Sequence, residues 1–194
     1  MSELNANFWN EKYDLNNTPW DIGHPSPPLI NYVKKEVAKT EKILLPGAGK
    51  AYEAEWLHKN GYTNVFVCDW AEQSFSFLKE RYPAFPAEQL LLADFFELEG
   101  TYDLILEQTF FSAIDPGLRE AYAQKVQQLL KPGGKLVGVL FAANFPFQGP
   151  PFGGNKAEYQ QLFSNYLDLI TLEMASDSIK PRLGNEIFMT FEKR

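Results

Sequence analysis

Cysteine, histidine and excess basic charge are the scarce materials of this 194-residue chain. The single cysteine, Cys68, cannot close an intramolecular disulfide. Two histidines, His24 and His58, leave no evident catalytic triad. Eighteen Lys and Arg stand against 25 Asp and Glu, for a net charge of -7. With a pI near 4.9 and no run of four basic residues, a generic nucleic-acid binder or a docker onto anionic membranes is excluded, since both rely on a basic patch. No apolar run approaches the roughly 20 residues of a membrane helix. Met1 to Asn10 lacks the basic stretch and apolar run of a secretory signal, so a cytoplasmic location is expected. Internal repeats and low-complexity tracts are missing too. What is present is 45% hydrophobic residues, enough for one substantial core. At about 150 residues per domain the length fits a single domain over 1–194. Aromatics are abundant, with 16 Phe, 9 Tyr and 4 Trp, which fits a large apolar core or a pocket with aromatic walls.

Short β-branched or Leu-rich runs alternate with amphipathic segments, the pattern of a parallel sheet with crossover helices. The first clear helix follows Ser26-Pro27-Pro28, where Ser can cap and Pro suits the first turn, with Leu29, Ile30, Val33 and Val37 on one face. Strands are expected at Lys42–Pro46, Asn64–Asp69, Gln89–Ala93, Tyr102–Leu106 and Lys135–Phe141. Helices fall between them at Ala51–Asn60, stopped by Gly61, and at Gln73–Tyr82. A further helix opens at Asp115-Pro116, buries Leu118, Tyr122, Val126 and Leu129, and ends at Lys131-Pro132-Gly133-Gly134. A helix near Lys156–Tyr166 precedes two last strands, Leu167–Met174 and Glu186–Glu192, expected as an antiparallel pair at the sheet edge. The fold class is therefore α/β, with seven mostly parallel strands, helices on both faces and an antiparallel edge strand. The stretches Asn16–Pro28 and Asn144–Asn155 are the most loop-like and mark a lid or pocket rim.

The first strand ends in Pro46-Gly47-Ala48-Gly49-Lys50. A strand, a glycine turn and a helix bring backbone N–H groups close to a ligand at the carboxyl edge of such sheets. Alone this fragment is weak. Asp69 ends the second strand about 20 residues after Gly49, where a carboxylate can accept hydrogen bonds from both hydroxyls of a ribose. Asp94 ends the third strand and Glu107 the fourth. Singly, each carboxylate is more often a solvated turn residue. Together, four successive strand ends carrying glycine or acid indicate a nucleoside-type ligand. A dinucleotide fingerprint would want a third small residue where Tyr52 stands, which weakens a nicotinamide cofactor without excluding it.

Phe8-Trp9-Asn10-Glu11-Lys12-Tyr13, Thr18-Pro19-Trp20-Asp21, the turn ending Gly49-Lys50, Glu107-Gln108-Thr109-Phe110-Phe111, Ala113-Ile114-Asp115-Pro116, Lys131-Pro132-Gly133-Gly134 and Gly149-Pro150-Pro151-Phe152 together resemble the thiopurine S-methyltransferase family over nearly the whole chain. The spaced Trp segments and Gly-Pro-Pro-Phe are its most distinctive part. The resemblance implies the Rossmann-like, seven-stranded class I methyltransferase sheet and S-adenosyl-L-methionine as cofactor. Within the family, E-Q-T-F-F-S-A-I-D-P looks most like the branch acting on halide, thiocyanate and thiols. Thiopurine methyltransferases typically read Leu-Cys-Gly-Lys at Gly47–Lys50 and Asp-Arg at Glu107-Gln108; the second departure removes a positive charge from the site.

Carried over by motif, the resemblance implies that 1–28 forms a lid whose Trp9 and Trp20 close over the methionine end of the cofactor. It further implies that Pro46, Gly47 and Gly49 approach the cofactor's backbone, that Asp69 binds the ribose, and that Trp70 flanks the adenine. Asp94 and Phe95 would hold the adenine edge, and Glu107 and Gln108 the base of the pocket. Phe110, Phe111 and Phe152, with Tyr13, are the candidates for the acceptor pocket; the strand phenylalanines read as core. A sulfonium cation is favourably placed against aromatic faces, at about 0.5 to 2 kcal/mol each.

Methyl transfer from a sulfonium is an in-line displacement onto a bound nucleophile, which needs alignment and desolvation. A thiolate or halide is soft and needs no base at the moment of attack, so neither a catalytic side chain nor a metal ligand is expected. His24 lies in the candidate rim and His58 is expected to face solvent. Cys68 reads as a small buried hydrophobe and Arg182 as a solvated surface cation. The expected partner is a small methyl acceptor, with no nucleic acid and no membrane, on a monomer. Two alternatives stay open at this point: a nicotinamide-dependent oxidoreductase and a non-catalytic S-adenosylmethionine-binding protein.

Overall fold

The computed structural model describes residues 4–194. The expected lid over 1–28 falls partly on residues 1–3, outside the described residues. Seven strands form one sheet: β1 (Ile43–Pro46), β2 (Val65–Asp69), β3 (Leu90–Leu92), β4 (Tyr102–Gln108), β5 (Leu130–Phe141), β6 (Asp168–Met174) and β7 (Glu186–Glu192). Their order is β3-β2-β1-β4-β5-β7-β6. The first five are parallel, and β7 inserts antiparallel between β5 and β6. The antiparallel pair thus lies on the expected side of the sheet, with β6 as its outer member and the long segment 175–185 joining the two.

The helices are α1 (Ala6–Asp14), α2 (Pro27–Glu36), α3 (Tyr52–Lys59), α4 (Glu72–Arg81), α5 (Arg119–Leu129) and α6 (Lys156–Ser164). Side chains alternate across a strand, and both faces of this sheet are covered. On one face Leu45, Val67, Leu106 and Val137 meet Val33 of α2, Leu57 of α3 and Leu78 of α4. On the other, Leu44, Ile105, Leu140 and Met189 meet Tyr122 of α5 and Phe163 of α6. The order reverses between β1 and β4, so the crevice beyond their carboxyl ends is the natural ligand site of such a sheet.

Several boundaries differ from expectation for identifiable reasons. Helix α1 has no run of regularly spaced apolar residues, yet Asn5 caps it by accepting the Phe8 N–H at 3.0 Å. Strand β4 runs two residues further than Leu106 because its pairing with β5 continues through Glu107↔Gly138 and Gln108↔Val139. Asp115-Pro116 opens a tight 3-10 turn, Pro116–Leu118, before α5 begins, which leaves Leu118 exposed rather than in the core. The Lys131–Gly134 stretch is drawn into β5: Gly133 N–H donates to Lys193 O at 2.8 Å, and Lys193 N–H donates to Gly134 O at 2.9 Å.

Candidate active site at the carboxyl ends of the strands

Strand β1 leaves the sheet through a turn in which Gly47, Gly49 and Ala51 all have positive φ, at 52°, 56° and 54°. At Gly47 the need for glycine is also steric, because a Cβ there would stand 2.1 Å from Phe110 Cδ2. The Gly47 N–H donates to Cys68 O at 2.7 Å and ties the turn to β2. Gly49 lies beneath an aromatic roof, with Tyr13 Oη and Trp20 Nε1 at 3.5 and 3.7 Å from where its Cβ would be.

Asp69 ends β2 on the wall of a cavity of about 910 Å³. Its Oδ1 accepts the Ala71 N–H at 2.9 Å. Burial pushes its carboxyl up to about 6, against the opposing pull of the Ala71 and Gly49 amides. Asp94, after β3, accepts the Phe96 N–H at 2.9 Å and lines the same cavity beside Phe95. Trp70 follows Asp69 on the wall.

The opposite wall is the N-terminal segment. Trp9 of α1 meets Trp20 edge to face, with ring centroids 5.4 Å apart, and Tyr13 meets Trp20 likewise at 5.9 Å. Burial pushes the Tyr13 phenol far up, and the nearby Asp69 charge adds to this, so its hydroxyl stays neutral. Helix α1 rests on α4 through Gln73 Nε2, which donates to Asp14 Oδ1 at 3.0 Å, and through Tyr13 against Phe77.

Three bonds fasten the chain that follows. Lys50 pairs with Asp21 at 2.7 Å. Burial works to raise the Asp21 carboxyl, but the Lys50 ammonium and the Gly23 amide outweigh it and hold it below the usual carboxylate range. The Ser26 N–H donates to the buried Glu53 Oε1 at 2.8 Å. Arg182 Nη2 donates to Trp20 O at 2.7 Å. Arg182 is therefore no solvated surface cation. Its side chain is 11% exposed, pairs with Glu186 at 3.1 Å and contributes to the cavity wall. A contact spanning 162 positions leaves no local trace in sequence.

Of the residues singled out from sequence, Trp9, Tyr13, Trp20, Gly47, Gly49, Asp69, Trp70, Asp94, Phe95 and Phe110 meet around this cavity. Five do not. Pro46 is buried in the end of β1, beneath the turn. Glu107 is 0% exposed and turned into the core: Oε1 accepts the Phe111 N–H at 3.1 Å and Oε2 the Tyr122 O–H at 2.9 Å. Gln108 borders a separate hollow of about 30 Å³ with Asp21, Lys50 and Thr109. Phe111 is wholly buried against Tyr122 of α5 and Tyr159 and Phe163 of α6. Phe152 stands off the wall, its N–H donating to Ser112 O at 2.7 Å.

His24 is exposed, and His58 is half-buried on Phe85 rather than solvent-facing. Burial lowers the His58 pKa. Cys68 is buried as expected, and burial pushes its thiol up. The wall also includes Phe8, Ser112, Phe147 and Pro150, which sequence reading did not single out for the site. Their only signal was membership of the aromatic and Gly-Pro-Pro segments.

The fold is shared with the solved 1,6-didemethyltoxoflavin-N1-methyltransferase of Burkholderia thailandensis with bound S-adenosylhomocysteine, at a TM-score of 0.76 and 17% identity over 97% of this chain and 86% of that one. The donor set suits the same cofactor, with a buried carboxylate for the ribose, a second acid beside aromatic rings for the base, and indole faces for a sulfonium. The chain is an S-adenosylmethionine-dependent methyltransferase of class I. The family model "Thiopurine S-methyltransferase (TPMT)" matches residues 4–193, and the chain belongs to that family. Among its relatives, the probable thiol methyltransferase 2 of Arabidopsis thaliana is 29% identical over 192 residues, 96% of this chain and 84% of the relative. Thiocyanate methyltransferase 1 of the same organism is 25% identical over 184 residues, 92% of this chain and 81% of the relative.

Proposed function

We propose that this enzyme methylates a small soft nucleophile, a thiol, bisulfide, halide or thiocyanate, by in-line displacement. The observation that carries the reading is the aromatic roof of Trp9, Tyr13 and Trp20 set over the glycine turn and Asp69. The names of the thiol and thiocyanate methyltransferases among its relatives support the acceptor class.

When bound, the cofactor supplies an activated methyl group on a sulfonium that already carries its leaving group. The chain's own residues do the rest. Asp69 accepts the ribose hydroxyls, and Asp94 with Trp70 and Phe95 holds the base. Gly47 and Gly49 let the methionine end approach the backbone, and the roof excludes water while offering π faces to the cation. Phe110 borders the acceptor side. Among the described cavity residues there is no histidine, and Tyr13 stays protonated. An acceptor that arrives as a soft anion needs no proton removed, so this wall suffices.

The test is formation of S-adenosylhomocysteine with iodide, thiocyanate, bisulfide, thiophenol and a thiopurine. Turnover is expected with at least one of the first four and is weaker with the thiopurine. Saturating S-adenosylhomocysteine binding by calorimetry, without turnover on any of the first four, would overturn the acceptor class.

A further inference from the structure

Among the described residues, four buried side-chain atoms lack a hydrogen-bond partner: Ser74 Oγ, Gln108 Nε2, Ser112 Oγ and Arg119 Nε. Folded chains rarely leave such groups unpaired, and each one calls for an explanation. Arg119 has other work for its guanidinium, which lies over Phe111 and donates to Gly153 O at 2.8 Å. Gln108 borders the small hollow. Ser112 alone of the four lies on the wall of the large cavity.

Its position is fixed from both sides. The Ser112 carbonyl accepts the Phe152 N–H at 2.7 Å, which ties it to the Gly-Pro-Pro-Phe segment. On the other side, Phe110 O accepts the Ala113 and Ile114 amides at 2.8 and 3.2 Å, and Glu107 holds the Phe111 amide. The residue is 0% exposed, and Phe110, Ala113 and Ile114 of the same turn line the cavity with it, with Thr109 and Asp115 as the polar ends of that stretch. In such surroundings one O–H donor facing an anion is stronger than the same donor in water. Of the two cations on the cavity wall among the described residues, Arg182 is committed to Trp20 O and Glu186, and Lys12 lies over the Phe8 ring at 5.1 Å.

We infer that the Ser112 hydroxyl selects the acceptor, donating a hydrogen bond to the sulfur, nitrogen or halogen of a small monovalent anion. This rests on the soft-nucleophile reading and adds the residue that recognises the charge. No bond to Ser112 forms or breaks in the transfer.

The experiment is calorimetric titration of thiocyanate and iodide into the S-adenosylhomocysteine complex of the wild type and of Ser112→Ala, with thermal unfolding of both. Ser112→Ala is expected to weaken anion binding about tenfold, the scale of one charge-assisted bond. S-adenosylhomocysteine affinity should stay within about twofold. The melting temperature should hold or rise, since removing an unpartnered buried hydroxyl breaks no bond within the protein. Ser112→Cys, a weaker donor of similar size, should fall between the two. Equal anion affinity in wild type and Ser112→Ala would overturn the inference, as would a loaded wild type that binds neither anion. A wild type that binds thiocyanate through Ser112 yet never methylates any acceptor of the panel would overturn the proposed reaction and leave the hydroxyl's role standing.

Discussion

The ends of β2 and β4 each carry a carboxylate along the same edge of the sheet, but one step apart in register: counted through β1, Glu107 lies level with Cys68 rather than Asp69, so the two side chains leave opposite faces. Both are buried, and burial raises both, Asp69 to about 6 and Glu107 to about 7. Asp69 is followed at once by α4 and stays on the cavity wall. Glu107 is roofed by the turn Thr109–Ile114 and by α5, and both its oxygens are satisfied inside the protein. The sheet makes room for it: a Cβ on the facing Gly138 would come within 2.6 Å of Glu107 Cβ. Tyr122, which Glu107 holds, stacks on Phe95 at 5.2 Å. Glu107 thus supports the site from behind, whereas Asp69 borders it. Position at a strand end marks a candidate; the face on which the register sets the side chain, and what packs there, decide where it points.

The strongest way to break this contrast is Asp69→Ala. Losing a charged acceptor for two ribose hydroxyls, at about 1.5 to 3 kcal/mol each, should weaken S-adenosylhomocysteine binding about 100-fold or more by calorimetry. Its melting temperature should change little. Glu107→Ala should do the reverse. It strands the Tyr122 hydroxyl and the Phe111 amide in the core, at about 2 to 4 kcal/mol, and lowers the melting temperature by roughly 5 to 10 °C. A Glu107→Ala protein of unchanged stability that no longer binds S-adenosylhomocysteine would put Glu107 back in the pocket. The smallest effect is one of pH. On the proposed reading Asp69 accepts both hydroxyls only when ionised, and burial raises its pKa to about 6. Affinity should therefore be level above that value and fall by up to about tenfold between pH 6 and pH 5. Asp69→Asn should bind weakly and without this slope. The same slope in Asp69→Asn would assign the titration to another group.

Much of this architecture is written in local pattern. The apolar runs of β1, β2, β4 and β5, the glycine turn and the acids after β2 and β3 are each readable from a few adjacent residues, because the physics that places them is local. The two Trp segments were legible only through resemblance, since nothing in their spacing says that α1 will lie over the sheet edge. Glu107 and Phe111 show where such reading stops. A strand-end carboxylate and an exposed-looking phenylalanine pair carry no mark of direction until α5 and α6 supply Tyr122, Tyr159 and Phe163 from elsewhere in the chain. Arg182 and Ser112 have the same origin. One acts across 162 positions, and the other matters because of what fails to bond with it.

The bond from Arg182 to the Trp20 carbonyl also imposes an order on synthesis. The roof segment is made first, with its indoles, yet it cannot be fastened until residue 182 has been added. The sheet is likewise incomplete until Glu186–Glu192 slides between β5 and β6. A nascent chain stopped short of that point holds most of its core residues and an untied roof, exposing aromatic surface of the kind that makes partly folded chains prone to associate. Trp20 and the helix packed on it wait on Arg182 and the strand that follows it.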